Sequence, residues 1–174
     1  MPFTPFHMGA GMLAKPLLNK RFSLIAFGLA QIAIDIEPGI GMNQGAEVLH
    51  GPSHTIIGAL AIAYLVAKVT PSISDFMIDR WNREVQHYKL HWLSEPVGIN
   101  PISIQVGAYF GTLSHIVLDS LMHHDIHPLA PFTNRNFLID LVSHDGVYRL
   151  CSVMAFLGLV LWLLQKWRAR PRDA

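Results

Sequence analysis

The chain has 174 residues, of which 51% are hydrophobic and only 14% are charged, whereas soluble proteins carry about 25% charged residues. The net charge of +1 gives no basic excess, so we expect no stable nucleic-acid partner. The single cysteine excludes an internal disulfide and a cysteine-based zinc site. This composition is typical of a membrane protein or of a protein with an unusually large apolar core.

Five apolar runs are predicted to form helices. They cover residues 8–18, 22–34, 55–67, 102–118 and 147–164. The last run is the clearest, because residues 153–164 carry no charge and are followed by Lys166, Trp167 and Arg168, as at a membrane interface. The other runs are shorter than the roughly 20 residues that span a bilayer. They are either short or tilted spans, or core helices of a soluble protein.

Lysine and arginine positions favour the membrane alternative. Residues 22–67 contain neither. If every run crosses the membrane, segments rich in basic residues alternate with segments that have few, so the basic segments lie on one side. The positive-inside rule then defines the cytoplasmic segments, which are 15–21, 68–100 and the C-terminus, including Arg172. The predicted extracytoplasmic segments are 1–7, 35–54 and 119–146. We therefore predict an all-α integral membrane bundle of four or five hydrophobic helices, formed by residues 1–174 as a single domain.

The polar segment between the third and fourth runs is predicted to form separate structure. Residues 75–93 have mixed charge and are typical of one amphipathic helix or two short ones on the cytoplasmic side. Pro96 and Pro101 end helical structure before the fourth run begins.

A repeat of ionisable side chains marks the end of the fourth run. His115, Asp119, His123 and His127 recur every four residues, a spacing that aligns side chains on one face of a helix. Imidazoles and a carboxylate at this spacing suit a divalent metal ion. Among apolar flanks such groups cost free energy unless they are paired or bind metal. A buried hydrogen bond between His115 and Asp119 is the structural alternative.

Further ligand candidates fall on the same predicted side of the membrane. Asp35 and Glu37 end the second run before Pro38, and two carboxylates this close repel unless a cation lies between them. His50 and His54 flank a Gly-Pro-Ser turn in which Ser53 is a possible helix cap. His7 opens the first run, and its placement beside the other candidates makes it a possible ligand.

Taken in order, these motifs resemble the family of membrane-bound metal-dependent hydrolases that includes the LexA-regulated bacterial inner-membrane protein. The resemblance covers most of the chain. The matching elements are His7 with Gly9 and Gly11, Asp35, residues 51–55, residues 114–119 and residues 128–132. The ordered histidines and aspartates are also similar, more distantly, to those of zinc-dependent phospholipase C and the single-strand-specific zinc nucleases.

The resemblance implies a hydrolase of the bacterial inner membrane, and the charge pattern predicts that its site faces the extracytoplasmic side and its C-terminus the cytoplasm. We predict hydrolysis of a phosphoester, either a lipid phosphate or a phosphodiester, by metal-activated water. The predicted metal ligands are His7, Asp35, His50, His54, His115, Asp119 and His123.

Glu37 or Asp125 is predicted to accept a proton from the water. The expected cofactor is one to three zinc ions, although manganese and iron accept the same donor atoms. The alternatives are a non-enzymatic membrane protein that binds or transports metal, and a purely structural membrane protein.

Overall fold

The computed structural model describes residues 5–98 and 100–170. Arg172 of the predicted cytoplasmic C-terminus, and residues 1–4 of the predicted extracytoplasmic N-terminus, lie outside the described residues. The helices are α1 (Met8–Leu18), α2 (Leu24–Ile34), α3 (Ile36–Asn43), α4 (Ile56–His87), α5 (Pro101–Ser120) and α6 (His144–Ala169). Only Asp35 separates α2 from α3, so the two count as one long segment. The predicted all-α fold of four or five helices is confirmed, since the described residues form five helical segments.

Three of these segments are long and apolar enough to cross a membrane. They are Leu24–Asn43, Ile56–His87 and His144–Ala169. Helix α1 has only 11 residues. Helix α5 lies inside the bundle, because 11 of its 20 residues are buried against α2 and α4. Length and composition therefore support membrane crossing for three of the five predicted runs.

Helix α4 is longer than the sequence indicates. Its 32 residues run without a break through Pro71. The helix predicted within residues 75–93 is therefore present as far as His87 but is part of α4, and a short 3-10 turn follows at His91–Leu93. Helix α4 continues because buried side chains recur at helical spacing on both sides of the proline, at Val66, Thr70, Ser74 and Ile78. A continuous buried stripe outweighs the loss of one backbone hydrogen bond at Pro71.

Small residues allow α5 to approach its neighbours closely. A Cβ atom placed on Gly111 would lie 2.7 Å from the Cβ atom of Ala30 in α2. Ala26, Ala63 and Ala108 are completely buried in the same cluster, and small side chains at a helix contact let two backbones come together. This close packing of α2 and α5 brings the end of α5 next to Asp35.

The basic segments and the ligand candidates lie at opposite ends of the bundle. At one end, Lys166 Nζ in α6 is 3.0 Å from Glu95 Oε1, and Gln165 Nε2 donates a 2.9 Å hydrogen bond to the carbonyl of Pro16. These contacts join the C-terminal end of α6 to α1 and to the loop before α5. At the other end, His7 lies beside Asp119.

Candidate metal centre

Asp119, in the last turn of α5, lies between three histidine rings. Its Oδ1 atom is 3.3 Å from Nε2 of His7. Its Oδ2 atom is 3.0 Å from Nε2 of His115 and 3.4 Å from Nε2 of His54. Asp35, at the junction of α2 and α3, brings Oδ1 to 3.2 Å from Nε2 of His115 and 4.0 Å from Nε2 of His54. All five side chains are buried.

These nitrogen and oxygen atoms face one another without forming hydrogen bonds. Nε2 of His7, His54 and His115 and Oδ1 of Asp35 are buried and have no hydrogen-bond partner among the residues that the structure describes. Ligand atoms about 2.0–2.1 Å from a tetrahedral zinc ion are about 3.3 Å from each other. Four of the five observed separations, 3.0–3.4 Å, are close to that spacing, and one ion could be bound by one atom each of Asp35, His54, His115 and Asp119. Asp35, His54, His115 and Asp119 therefore form a candidate cation site.

Helix spacing places His115 and Asp119 one turn apart, and Gln31 in α2 orients the histidine ring. Gln31 Nε2 donates to the carbonyl of Gly111 at 2.8 Å, which leaves its Oε1 as the acceptor for Nδ1–H of His115 at 2.7 Å. With the proton on Nδ1, the lone pair of a neutral His115 ring lies on Nε2 and points towards Asp35 and Asp119. A hydrogen bond of this kind to the outer nitrogen fixes the tautomer of a metal-binding histidine.

A short 3-10 turn, Pro52–His54, holds His54 in the site. Ser53 Oγ is 2.8 Å from Nδ1 of His54, so Nε2 of His54 is again the nitrogen that points to the carboxylates. The prediction that Ser53 caps α4 was wrong. Thr55 is the cap, because its Oγ1 accepts a 3.0 Å hydrogen bond from the backbone N–H of Gly58, and Ser53 instead orients the ring.

A second group of ligand candidates adjoins the first. His50, His123 and Asp125 bring one donor atom each to within 4.8 Å of one another. The ring of His50 lies 4.7 Å from that of His54 and 4.6 Å from that of His123, centroid to centroid. The structure therefore gathers all seven predicted ligand residues at one end of the bundle, in two adjoining groups with His7 beside Asp119.

Asp125 holds His50 in place. Its Oδ1 atom is 2.9 Å from Nδ1 of His50, and its Oδ2 atom accepts the backbone N–H groups of Leu49 at 3.1 Å and His50 at 3.2 Å. Burial alone would raise the pKa of Asp125, but the hydrogen bond and charge of His50 and the two backbone donors lower it to about 2. The carboxylate is therefore ionised at neutral pH and already has three donors.

The sequence predicted that the four-residue repeat continues along one helix, but the helix ends before the repeat does. Helix α5 ends at Ser120, and the side-chain amide of Asn136 donates to the carbonyls of Ser120 at 2.9 Å and His123 at 3.3 Å. This returning loop caps the helix and turns His123 towards His50. His127 is exposed and belongs to neither group.

Asp35 and Glu37 do not belong to one group of candidate ligands, contrary to the expectation that they project together. Helix α3 begins at Ile36 and continues through Pro38, so the two carboxylates leave the helix in different directions. Glu37 Oε2 accepts the backbone N–H of Ser53 at 2.7 Å, and its Oε1 atom packs where a side chain at Gly51 would stand. Glu37 thus binds the segment that carries His50 and His54.

Gln31 and Ser53 are the site residues that sequence reasoning missed as orienting groups. Gln31 did carry a signal, because it is the only polar residue in α2 between Leu24 and Ile34. A lone polar side chain in an apolar helix needs a buried partner, and here the partners are Gly111 and His115 on α5. Ser53 carried no comparable signal, since a serine before a helix is ordinarily a cap.

One protein family matches the chain over its full length. The match covers residues 1–174 and has the description Domain of unknown function (DUF4184). No curated protein and no solved structure matches the chain.

Proposed function

We propose that this chain, which belongs to the DUF4184 family, is a membrane-bound metal-dependent hydrolase that cleaves a phosphoester. The observation that carries the proposal is the set of unpartnered Nε2 atoms of His7, His54 and His115 around Asp119. A divalent ion held there would lower the pKa of a coordinated water to about 7 and neutralise charge on phosphate oxygens. The chain would supply the ligands, their orientation and the proton acceptor.

The two oxygens of Asp119 support more than one ion. Oδ2 faces His54 and His115, while Oδ1 faces His7, so each oxygen would be available to a different ion. The group formed by His50, His123 and Asp125 provides a further position. Zinc is the metal we expect from these nitrogen and oxygen donors, and manganese and iron are the alternatives.

Glu37 is the proton acceptor that the geometry favours over Asp125. Asp125 already accepts hydrogen bonds from His50 and two backbone groups, and its lowered pKa makes it a weak base. Glu37 uses Oε2 to hold Ser53, while its Oε1 atom forms no hydrogen bond within residues 5–98 and 100–170. In this assignment Asp125 is a ligand or a positioning residue.

Position in the bundle supports a substrate at the membrane surface. Three helical segments could cross a membrane, and the ligand residues gather at the end opposite the Lys166–Glu95 contact. By the positive-inside rule the end with the basic residues is cytoplasmic. The metal centre would then face the extracytoplasmic side of a bacterial inner membrane.

The test is hydrolysis by protein purified in detergent and supplied with zinc, manganese or iron. Substrates are lipid phosphomonoesters, glycerophospholipids and bis-p-nitrophenyl phosphate, with Asp119→Asn as the inactive variant. We expect turnover of at least one phosphoester by wild type and its loss in the variant. Tight metal binding with no turnover of any of the three would contradict the hydrolase and favour the alternative of a metal-binding or transport protein.

A further inference from the structure

Large apolar side chains are exposed on the loop between α5 and α6, at the end of the bundle that holds the metal centre. Phe132 is 85% exposed, Phe137 64% and Leu141 68%. One exposed apolar side chain is ordinary, but several on one short loop indicate a contact surface. We call residues 128–142 the apolar loop.

The backbone of the apolar loop is held in place by polar contacts. The carbonyl of Pro128 accepts a 2.8 Å hydrogen bond from the backbone N–H of Ile56 at the start of α4, and the N–H of Asp140 donates to Leu121 at 3.3 Å. Asn136 caps α5, as described above. The loop is thus anchored at both ends and its middle, and these anchors do not bury its aromatic side chains.

We propose that the apolar loop inserts into the lipid leaflet on the side of the metal centre, and that the phosphoester reaches the metals as the headgroup of a lipid in that leaflet. Insertion of the loop is inferred from its exposed apolar surface and does not depend on any enzymatic activity. The inference that the substrate is a lipid rests on the proposed function.

Continuity with α6 identifies lipid as the partner. Helix α6 begins at His144, directly after the apolar loop, and is one of the segments apolar enough to cross a membrane. Val153 and Phe156 on α6 are 54% and 66% exposed, so nothing in the described part of the chain covers this face. Phe and Leu side chains are typical of the apolar face of segments that insert at the boundary between headgroups and acyl chains, and Phe132, Phe137 and Leu141 are side chains of this kind.

Charge on the loop fits a headgroup phosphate. Arg135 lies between Phe132 and Phe137, is exposed, and makes no ion pair with any residue in 5–98 or 100–170. A guanidinium at the membrane surface pairs with phosphate while its stem lies along apolar groups. The arrangement of a cation between two aromatic side chains matches the chemistry of a phospholipid surface.

The base of the same loop carries part of the metal centre. His123 and Asp125 lie just before the apolar loop, and Asn136 within the loop donates to the carbonyl of His123. A lipid phosphate held at the base of this loop would therefore lie beside the group of His50, His123 and Asp125.

Spin labels on a cysteine measure insertion without reference to activity. Cys151→Ala removes the one native thiol, and Phe132→Cys or Phe137→Cys then carries the label in full-length protein in phosphatidylglycerol–phosphatidylethanolamine vesicles. Phe156→Cys on α6 is the lipid control, and Gln86→Cys in the exposed end of α4 is the water control. We expect labels at 132 and 137 to collide with oxygen more than with chromium oxalate, as the label at 156 does. Accessibility equal to that at 86 would overturn insertion and favour a protein partner.

Hydrolysis of two substrates tests whether the apolar loop is needed to reach a lipid in the membrane. Phe132→Ser combined with Phe137→Ser should lower hydrolysis of a phospholipid in vesicles by about tenfold, with less than about a twofold change for a short-chain soluble analogue. Phe76→Ser is the matched control, because Phe76 is also exposed but lies on α4. Equal losses on both substrates would overturn the role of the loop in delivery. If wild type hydrolyses neither substrate, the hydrolase function and the lipid substrate both fail, and the spin labels still decide insertion.

Discussion

Gln31 Oε1 accepts a 2.7 Å hydrogen bond from Nδ1 of His115 across the contact between α2 and α5. The amide of Gln31 cannot rotate freely, because its Nε2 donates to the carbonyl of Gly111. One glutamine therefore fixes the proton on Nδ1 and leaves Nε2 of a neutral His115 facing Asp35 and Asp119. Two carboxylate oxygens and one nitrogen lone pair at these distances repel one another unless a cation or a shared proton lies among them.

Removing this hydrogen bond should weaken metal binding. Gln31→Leu is expected to lower zinc affinity about 10–100-fold, the usual effect of losing a partner that orients a histidine ligand. Gln31→Glu keeps an acceptor oxygen and should retain most of the affinity. Competition against a fluorescent zinc chelator measures both. Gln44→Leu, at an exposed position, is the control, and equal affinities for Gln31→Leu and Gln44→Leu would contradict the orienting role.

The second group of ligands should be separable from the first. Asp125→Asn keeps an oxygen that accepts the N–H groups of Leu49 and His50, but loses the negative charge that a cation needs. We expect the variant to hold fewer ions per chain than wild type and still at least one. Asp140→Asn, which changes an exposed aspartate on the same side, should not alter the count. Complete loss of metal in Asp125→Asn would show that the two groups form one indivisible site.

Glu37→Gln should separate proton transfer from metal binding. The amide oxygen can still accept from the N–H of Ser53, so the segment that carries His54 keeps its position. Loss of a general base typically costs about 10²–10⁴ in kcat, and we expect a decrease of that order with unchanged metal content. Glu47→Gln, at an exposed glutamate, is the control. Full activity in Glu37→Gln would transfer the role of proton acceptor to Asp125.

Close contact between α2 and α5 should make Gly111 sensitive to a single methyl group. Gly111→Ala places a Cβ atom 2.7 Å from that of Ala30, and we expect a loss of about 1–3 kcal/mol in the free energy of unfolding, as for other overpacked cores. Gly39→Ala meets no atom within 4 Å and should leave stability unchanged or raised. Thermal unfolding in detergent compares the two, and equal midpoints would contradict the tight approach.

The sequence located the residues of the candidate site better than the elements that carry them. His115 and Asp119 follow from helical spacing, and Asp35 and His54 follow from ionisable residues at the edges of apolar runs. The end of α5 at Ser120 was not predictable, because it depends on Asn136 returning from 16 residues away. The same is true of the contact between Gln31 and His115, 84 residues apart, since spacing along the chain carries no information about packing between helices.

Local rules also misled where tertiary contacts outweighed them. A proline ordinarily interrupts a helix, yet α4 continues through Pro71 because its buried stripe continues to Ile78. Asp35 and Glu37 are two residues apart but bind different parts of the site, because α3 starts between them. In both cases the contacts that decide the local structure come from residues distant along the chain.

Metal content of the purified protein tests the central claim most directly. Elemental analysis of wild type is compared with Asp119→Ala and His54→Ala, and with His127→Ala as a control on an exposed histidine outside both groups. We expect at least one tightly held ion in wild type and in His127→Ala, and fewer ions per chain in the other two variants. A folded wild type that holds no metal after purification and after incubation with zinc, manganese or iron would contradict it.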